Sequence, residues 1–179
     1  MSSTVPGRHD RPMDTVARIA SPGHRALRVG RGSVTGQVYL VTTTTLHRRP
    51  WFTDWNAARA ACAALRGAAP RAEITLVAWV LMPDHWHGMV RLDGTTSLSM
   101  AINRLRSTSA IATNAALGRT GSLWSRAFHD RAMRADEDLL ATARYVVANP
   151  LRAGVCRRIG DYPFWDAIWL RDSPSTAHP

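Results

Sequence analysis

The chain contains no lysine, and all 23 of its basic residues are arginine. Exclusive use of arginine is typical of a GC-rich genome and excludes no class of protein. Against 13 acidic residues, however, the arginines leave a formal net charge of +10. This excess predicts a polyanionic partner, with nucleic acid as the first candidate and an anionic membrane surface as the second. No basic amphipathic helix supports the membrane surface.

Cysteine is scarce, and long apolar runs are absent. Cys62 and Cys156 lie far apart without the spacing of metal ligands, so we expect reduced thiols in a cytoplasmic protein, although a disulfide is possible. If the polyanionic partner is DNA, we expect the protein to be nucleoid-associated. No apolar run approaches the roughly 18 residues of a membrane-spanning helix. The polar N-terminus lacks the apolar segment of a secretory signal, and Asp10 and Asp14 disfavour a transit peptide.

Three segments differ in composition. Residues 1–35 are rich in Ser, Gly, Pro and Arg without periodicity, and we predict a flexible basic segment there. Residues 36–170 carry the strand and helix patterns of one folded domain. Residues 171–179 are predicted to be a disordered tail.

The folded part is predicted to alternate between strands and helices. The predicted strands span 37–46, 72–82, 85–92 and 125–134, and the predicted helices span 53–70, 98–118 and 135–150. Residues 136–138 are acidic and suit the first turn of the last helix, which we expect to stop before Pro150. The order predicts an α+β, ferredoxin-like split βαβ sandwich: an antiparallel sheet with helices on one face and an added C-terminal helix. The aromatic segment after it is expected to pack on the body.

Two histidines stand one residue apart in the stretch MPDHWHGMV, residues 82–90. Residues i and i+2 of a strand point to the same face, so His85 and His87 are predicted to project side by side while Trp86 points the other way. Two neighbouring imidazoles can bind one metal ion through ring nitrogens. Two partly exposed histidines with no ligand remain the alternative.

A second pair lies in the stretch ARYVVANPLRAG. Tyr145 and Asn149 are four residues apart, so one helix face would present a phenol and a carboxamide together. Taken singly, Tyr145 can be a core tyrosine and Asn149 a helix C-terminal residue. Together with two histidines they suit DNA nicking: a cation offsets the charge of a phosphodiester, and the tyrosine attacks phosphorus and expels the 3′ oxygen.

These stretches resemble a known family. MPDHWHGMV is similar to the HUH motif, histidine–bulky apolar residue–histidine, of the single-tyrosine transposases. The stretches SLWSRAFHDRAMR, YVVANPLRAGV and YPFW resemble the subgroup of REP-associated tyrosine transposases, in family order over about residues 35–169.

The resemblance implies the fold above, Mg²⁺ or Mn²⁺ as cofactor, and single-stranded or hairpin DNA from repeat elements as substrate, bound by a monomer or homodimer. It implies that His85 and His87 are metal ligands, that Tyr145 is the nucleophile and that Asn149 completes the metal site. Asp84 stands where many relatives have Asn. It can shape the turn, or it can bring negative charge near the metal.

Other residues are candidates for DNA contacts, with a solvated surface as the alternative for each arginine. The arginines are Arg104, Arg106, Arg126, Arg131 and Arg134, together with Arg144 and Arg152 beside the tyrosine. For His129 a structural or DNA-contacting role is preferred to a ligand role. Trp51 and Trp124 can stack on bases or pack in the core. The run TTTT at 42–45 is ordinary strand composition.

The sequence therefore predicts a metal-dependent single-strand DNA endonuclease and strand transferase that acts at hairpin-forming repeats. A repeat-binding protein without cleavage is the first alternative, although it would have no use for the two histidines and the tyrosine. Relaxases or replication initiators use the same chemistry but usually carry helicase domains as well. A metal-dependent nuclease in which His85 and His87 activate water is the third alternative.

Overall fold

A computed structural model describes residues 33–170. The predictions for residues 1–32 and for the tail at 171–179 lie outside the described residues. In the part that is described, no helix is both long and apolar enough to cross a membrane.

The described residues form a five-stranded antiparallel sheet in the order β4–β1–β3–β2–β5. The strands are β1 (Val38–Thr44), β2 (Ile74–Met82), β3 (His85–Leu92), β4 (His129–Ala132) and β5 (Trp165–Ala167). The helices are α1 (Trp55–Ala68), α2 (Leu98–Ala116), α3 (Leu139–Val147) and α4 (Asn149–Arg152). The predicted α+β, ferredoxin-like architecture is confirmed, with one additional strand at the edge of the sheet.

Core residues lie on both faces of the sheet. The pair α1 and α2, which pack against each other, covers one face, and α3 covers part of the other. Asp54 caps α1 by accepting from Ala57 N, and Ser97 caps α2 by accepting from Met100 N. Trp86 is 1 % exposed although it lies in the strand that carries the two histidines. A Cβ at Gly88 would overlap the Trp86 indole, so the glycine after the second histidine leaves room for that ring. One sheet face is therefore sealed, and the functional side chains must use the other.

The last helix differs from its prediction at both ends. It begins at Leu139, because the Asp138 carboxylate accepts hydrogen bonds from Leu140 N and Ala141 N and so acts as the N-cap. The acidic residues 136–138 therefore precede the helix instead of forming its first turn. At the other end Pro150 does not follow the helical region but occupies the first turn of the short α4, a position in a helix where proline is tolerated.

The fourth strand is shorter than predicted, and a fifth strand was not predicted. β4 covers only four residues and pairs with β1. β5 covers three residues of the aromatic segment and pairs with the free edge of β2. Its neighbour Tyr162 donates a hydrogen bond to Leu81 O at 2.5 Å, which fixes this segment on the body as expected.

The two cysteines are free thiols. Cys62 is buried in α1, whereas Cys156 is partly exposed. Burial raises the pKa of the Cys62 thiol to about 12, so this side chain behaves as a small apolar core residue.

Candidate active site

His85 and His87 lie on β3 and project from the sheet face opposite to Trp86, as predicted. Their ring centroids are 5.3 Å apart with planes inclined by 79°. Antiparallel pairing places Thr42 of β1 and Val80 of β2 on either side of His87. The two imidazoles are therefore adjacent at one end of the sheet, where the β2–β3 turn brings Asp84 beside them.

Each histidine uses its Nδ1 atom in a contact within the protein. His85 Nδ1 lies 2.6 Å from Asp84 Oδ1, and His87 Nδ1 lies 2.9 Å from Thr42 Oγ1. A carboxylate or hydroxyl on one ring nitrogen fixes the ring and leaves the other nitrogen, here Nε2, to bind a cation. Both rings are thus prepared in the manner of metal-ligating histidines.

The surroundings of the pair favour a neutral His87. Burial, with a smaller contribution from the charge of His85, lowers the pKa of His87 to about 4, so His87 is neutral at pH 7. Burial acts to raise the pKa of Asp84, but the hydrogen bonds and charges of His85 and Arg48 outweigh it and lower that pKa. The Arg48 guanidinium lies 3.0 Å from the Asp84 carboxylate.

Helix α3 lies on the same sheet face as the histidines. It packs mainly on β2 and also touches β3 and β5, the strands on either side of β2. Ala143 and Val146 are its buried residues. Toward β5, α3 and α4 border an apolar groove of about 330 Å³ that is lined by Leu140, Arg144, Val147, Leu151, Trp165, Ala167 and Trp169, among others.

Tyr145 lies on the other flank of α3. Each residue advances a helix by about 100°, which turns Tyr145 well away from Leu140 and Val147 at the groove. Since the groove lies toward β5, we infer that Tyr145 lies on the flank toward β3. Its side chain is 49 % exposed. The Arg152 guanidinium carbon lies 4.4 Å from the Tyr145 ring centroid, a cation–π contact that holds the phenol at the surface.

Asn149 has a structural partner that the sequence did not suggest. Its Nδ2 donates to Val146 O at 2.9 Å and to Tyr145 O at 3.4 Å. Val146 O is the carbonyl that residue 150 would normally satisfy, but Pro150 has no N–H to donate. The Asn149 amide therefore replaces a missing helical hydrogen bond, and its Oδ1 is the atom left for a cation.

The predicted DNA-contacting arginines are dispersed. Arg152 contacts Tyr145, whereas Arg144 borders the groove on the opposite flank of α3. Arg131 on β4 pairs with Glu137, and this hydrogen bond raises the pKa of Arg131.

The two predicted arginines of α2 donate to backbone carbonyls. Arg106 donates to the carbonyls of Ser125 and Arg126, and Arg104 donates to the carbonyl of Arg71.

The sequence left base stacking or core packing open for Trp51 and Trp124, and the structure distinguishes the two residues. Trp124 is 6 % exposed, and its Nε1 donates to Ser109 Oγ and Arg106 O, so it belongs to the core. Trp51 is only partly buried and has two arginines over its ring. His129 lies on β4 directly opposite Thr42, on the same sheet face as His85 and His87. Strand β1 separates it from β3, which carries those two histidines.

Three residues that position the histidines were missed or left open. Thr42 lies in the run that was interpreted as ordinary strand composition, and only the strand register places it opposite His87. Arg48 reaches Asp84 from a loop 36 residues away in sequence. Asp84 could have been identified from the sequence, because an acidic residue immediately before a histidine pair can orient one of the imidazole rings.

The residues fit a divalent ion that is completed by oxygen ligands. Among residues 33–170, no three His, Cys, Asp or Glu side chains are arranged as a metal site. The two Nε2 atoms would hold the ion, and a carboxamide oxygen, water or substrate phosphate would supply the remaining positions.

Comparisons with known proteins give one family. The family model for IS200-like transposases matches residues 33–149, which include the two histidines, Tyr145 and Asn149. No curated protein sequence matches the chain significantly.

Two solved structures resemble the fold. A REP-associated tyrosine transposase bound to a REP hairpin shares 23 % identity and a TM-score of 0.61, over 83 % of this chain and 86 % of that one. A candidate transposase from Deinococcus radiodurans R1 shares 23 % identity and a TM-score of 0.49, over 67 % of this chain and 95 % of that one. Because the family match covers well over half of the 179 residues, the chain belongs to the IS200-like transposase family.

Proposed function

We propose that the protein is a metal-dependent single-strand DNA endonuclease and strand transferase that works through a 5′-phosphotyrosine. One observation carries the proposal. An exposed tyrosine lies on the flank of α3 that faces β3, and β3 presents two histidines whose Nδ1 atoms are already engaged. A nucleophile and a pair of nitrogen ligands thus share one side of the sheet.

The mechanism assigns each residue a step. A bound Mg²⁺ or Mn²⁺ would offset the charge on a non-bridging phosphate oxygen and orient the phosphorus. Asp84 and Thr42 keep the two imidazoles in position through Nδ1. The Tyr145 hydroxyl loses its proton to solvent, its oxygen bonds to phosphorus, and the P–O3′ bond breaks. The departing 3′ oxygen takes up a proton from solvent and becomes a 3′ hydroxyl. The phosphotyrosine retains the bond energy, so attack by a second 3′ hydroxyl rejoins strands.

Charge and the structural relative support the proposed substrate. The net charge of +10 suits a polyanion, and the relative of similar fold was solved with a REP hairpin. We propose that this protein likewise acts at hairpin-forming repetitive extragenic elements, on cytoplasmic, nucleoid-associated DNA. Arg152, which lies against the Tyr145 ring, is the arginine best placed to meet the phosphate under attack.

The first test is a covalent adduct. We expect a single-stranded oligonucleotide with a repeat hairpin from the source genome to give a denaturation-resistant protein–DNA adduct with Mn²⁺ and none with EDTA. Tyr145→Phe should abolish the adduct. Tyr39→Phe is the matched control, because Tyr39 pairs opposite Val90 and so lies on the sealed face of the sheet.

The other outcomes discriminate between the alternatives. Cleavage that survives Tyr145→Phe would favour a nuclease in which the histidines activate water. Tight binding without cleavage, across several repeats and metals, would favour a repeat-binding protein. In both cases the tyrosine mechanism fails.

A further inference from the structure

A basic aromatic cluster lies beside the histidine end of the sheet. The guanidinium carbons of Arg119 and Arg49 lie 4.6 Å and 5.7 Å from the centroid of the Trp51 ring. Arg119 is held there by the Asn114 carboxamide and by Ser122 O at 3.3 Å. We call Arg49, Trp51 and Arg119 the Trp51 cluster.

The loop that carries the cluster has an unusual backbone. His47 and Arg48 are consecutive and adopt φ values of 57° and 50°, in the left-handed region that side chains other than glycine rarely occupy. Such strain persists only where the surroundings hold it, and it is concentrated at functional sites. Here the holding contacts are the Arg48–Asp84 ion pair at 3.0 Å and Thr45 Oγ1 donating to Arg49 O at 2.7 Å.

Direct contacts connect this loop to the candidate active site. Arg48 binds one carboxylate oxygen of Asp84, and the other oxygen accepts from His85 Nδ1 at 2.6 Å. The backbone of the loop is also joined to the β2–β3 turn, through Phe52 N donating to Pro83 O at 3.0 Å. The loop that carries the Trp51 cluster therefore contacts Asp84, the residue that orients His85.

The charge of the cluster is not neutralised locally. Within residues 33–170, Arg48 has a carboxylate partner, whereas neither Arg49 nor Arg119 forms an ion pair. A partly exposed indole flanked by two such guanidinium groups offers both a stacking surface and phosphate contacts. This combination is the one that binds unpaired nucleotides.

We propose that the Trp51 cluster binds the single DNA strand next to the scissile phosphate, with an unpaired base stacked on the indole–guanidinium layer and phosphates on the arginines. The assignment rests on the proposed function, since it names where that substrate lies. In this arrangement the DNA strand runs from the histidines over the loop at 47–51. This loop follows β1, which lies on the side of β3 away from β5.

The competing explanation is a purely structural one, in which Arg119 and Trp51 only brace two loops against each other. A brace would change stability but not the affinity of the folded protein for DNA. The two explanations can therefore be separated by measuring binding and unfolding on the same variants.

The experiment measures binding of a fluorescent oligothymidylate to the full chain by anisotropy, in EDTA and at several salt concentrations. Trp51→Leu keeps an apolar side chain against the core but removes the stacking face. We expect it to weaken binding by about ten-fold with an unchanged salt dependence. Arg49→Gln and Arg119→Gln should weaken binding, and each should make the slope of log K against log salt about 0.7 less steep.

Arg71→Gln is the matched control, because it removes the same charge from an exposed position just beyond the end of α1, a helix about 21 Å long that begins four residues after Trp51. Wild-type affinity is expected for this variant. Arg49→Gln keeps the proposal testable if the other two variants fold poorly, since the Arg49 side chain forms no hydrogen bond or ion pair within the described residues.

The outcomes are separate from those of the adduct test. Wild-type affinity and salt slope in folded Trp51→Leu and Arg49→Gln would overturn the proposal, even if the Tyr145 adduct forms. Weakened binding in both variants would support it, even if the protein proves to bind DNA without cutting.

Discussion

At the scale of single residues, the orientation of His85 depends on Asp84. Its carboxylate is the partner of His85 Nδ1 and is itself held by Arg48. Loss of such an outer partner typically lowers metal affinity by about 10–100-fold. We therefore predict a loss of that size for Mn²⁺ binding to Asp84→Ala, measured by isothermal titration calorimetry on the DNA-free protein.

Asp84→Asn is the informative control for this prediction. The Asn carbonyl can still accept from His85 Nδ1 but carries no charge, so we expect affinity between those of Asp84→Ala and the wild type. If Asp84→Ala binds Mn²⁺ as tightly as the wild type does, Asp84 only shapes the turn.

The same residues show what sequence can and cannot predict about the site. The projection of His85 and His87 from one face follows from the two-residue period of a strand, which is a local property. Thr42 could not be identified, because its contact with His87 depends on the register between strands 45 residues apart. Periodicity within one segment carries no information about that register.

At the scale of elements, the junction between α3 and α4 decides where the tyrosine is presented. Pro150 removes the N–H that Val146 O would accept, and Asn149 Nδ2 replaces it at 2.9 Å. Asn149→Ala should therefore lower the free energy of unfolding by about 1 kcal/mol. The double variant Asn149→Ala/Pro150→Ala should recover most of this loss, because an alanine in place of the proline has a backbone N–H that can donate to the same carbonyl.

The cycle consists of the wild type, the two single alanine variants at 149 and 150, and the double variant. Urea unfolding of these four proteins measures the coupling between the two positions, and their Mn²⁺ affinities test whether Asn149 is a metal ligand. Restored stability with reduced Mn²⁺ affinity in the double variant would show that Asn149 also binds the metal. Full recovery of both would limit Asn149 to a structural role. No recovery of stability would contradict the hydrogen-bond explanation.

The boundaries of the elements were less predictable than their order. Acidic residues at 136–138 suit both a first helical turn and the residues just before it, and only the Asp138 side-chain contacts decide between these positions. The three residues of β5 are too few for a periodic pattern, and their pairing with β2 depends on an edge that is free only in the folded sheet. Helix α2 and strand β3, which have long or strict patterns, lie close to their predicted ranges.

At the scale of the whole molecule, the two sheet faces have different roles, and the arginine charge acts over the whole surface. One sheet face is covered by α1 and α2, while the other carries the histidines and is partly covered by α3, which presents the exposed tyrosine. The arginines supply a general attraction for polyanions that falls steeply with salt.

Residues 1–32 allow the last prediction, because they contain six arginines and two aspartates and so supply four of the ten net charges. Removing them should weaken binding of single-stranded DNA and reduce the salt slope, by as much as about four units if all six arginines meet phosphates. Adduct formation at saturating DNA should persist, since the histidines and Tyr145 remain. Removing residues 171–179, which carry no net charge at neutral pH, is the control and should leave the slope unchanged. An unchanged slope in the first truncation would show that the affinity for DNA resides in residues 33–179, and that the N-terminal arginines do not meet phosphates.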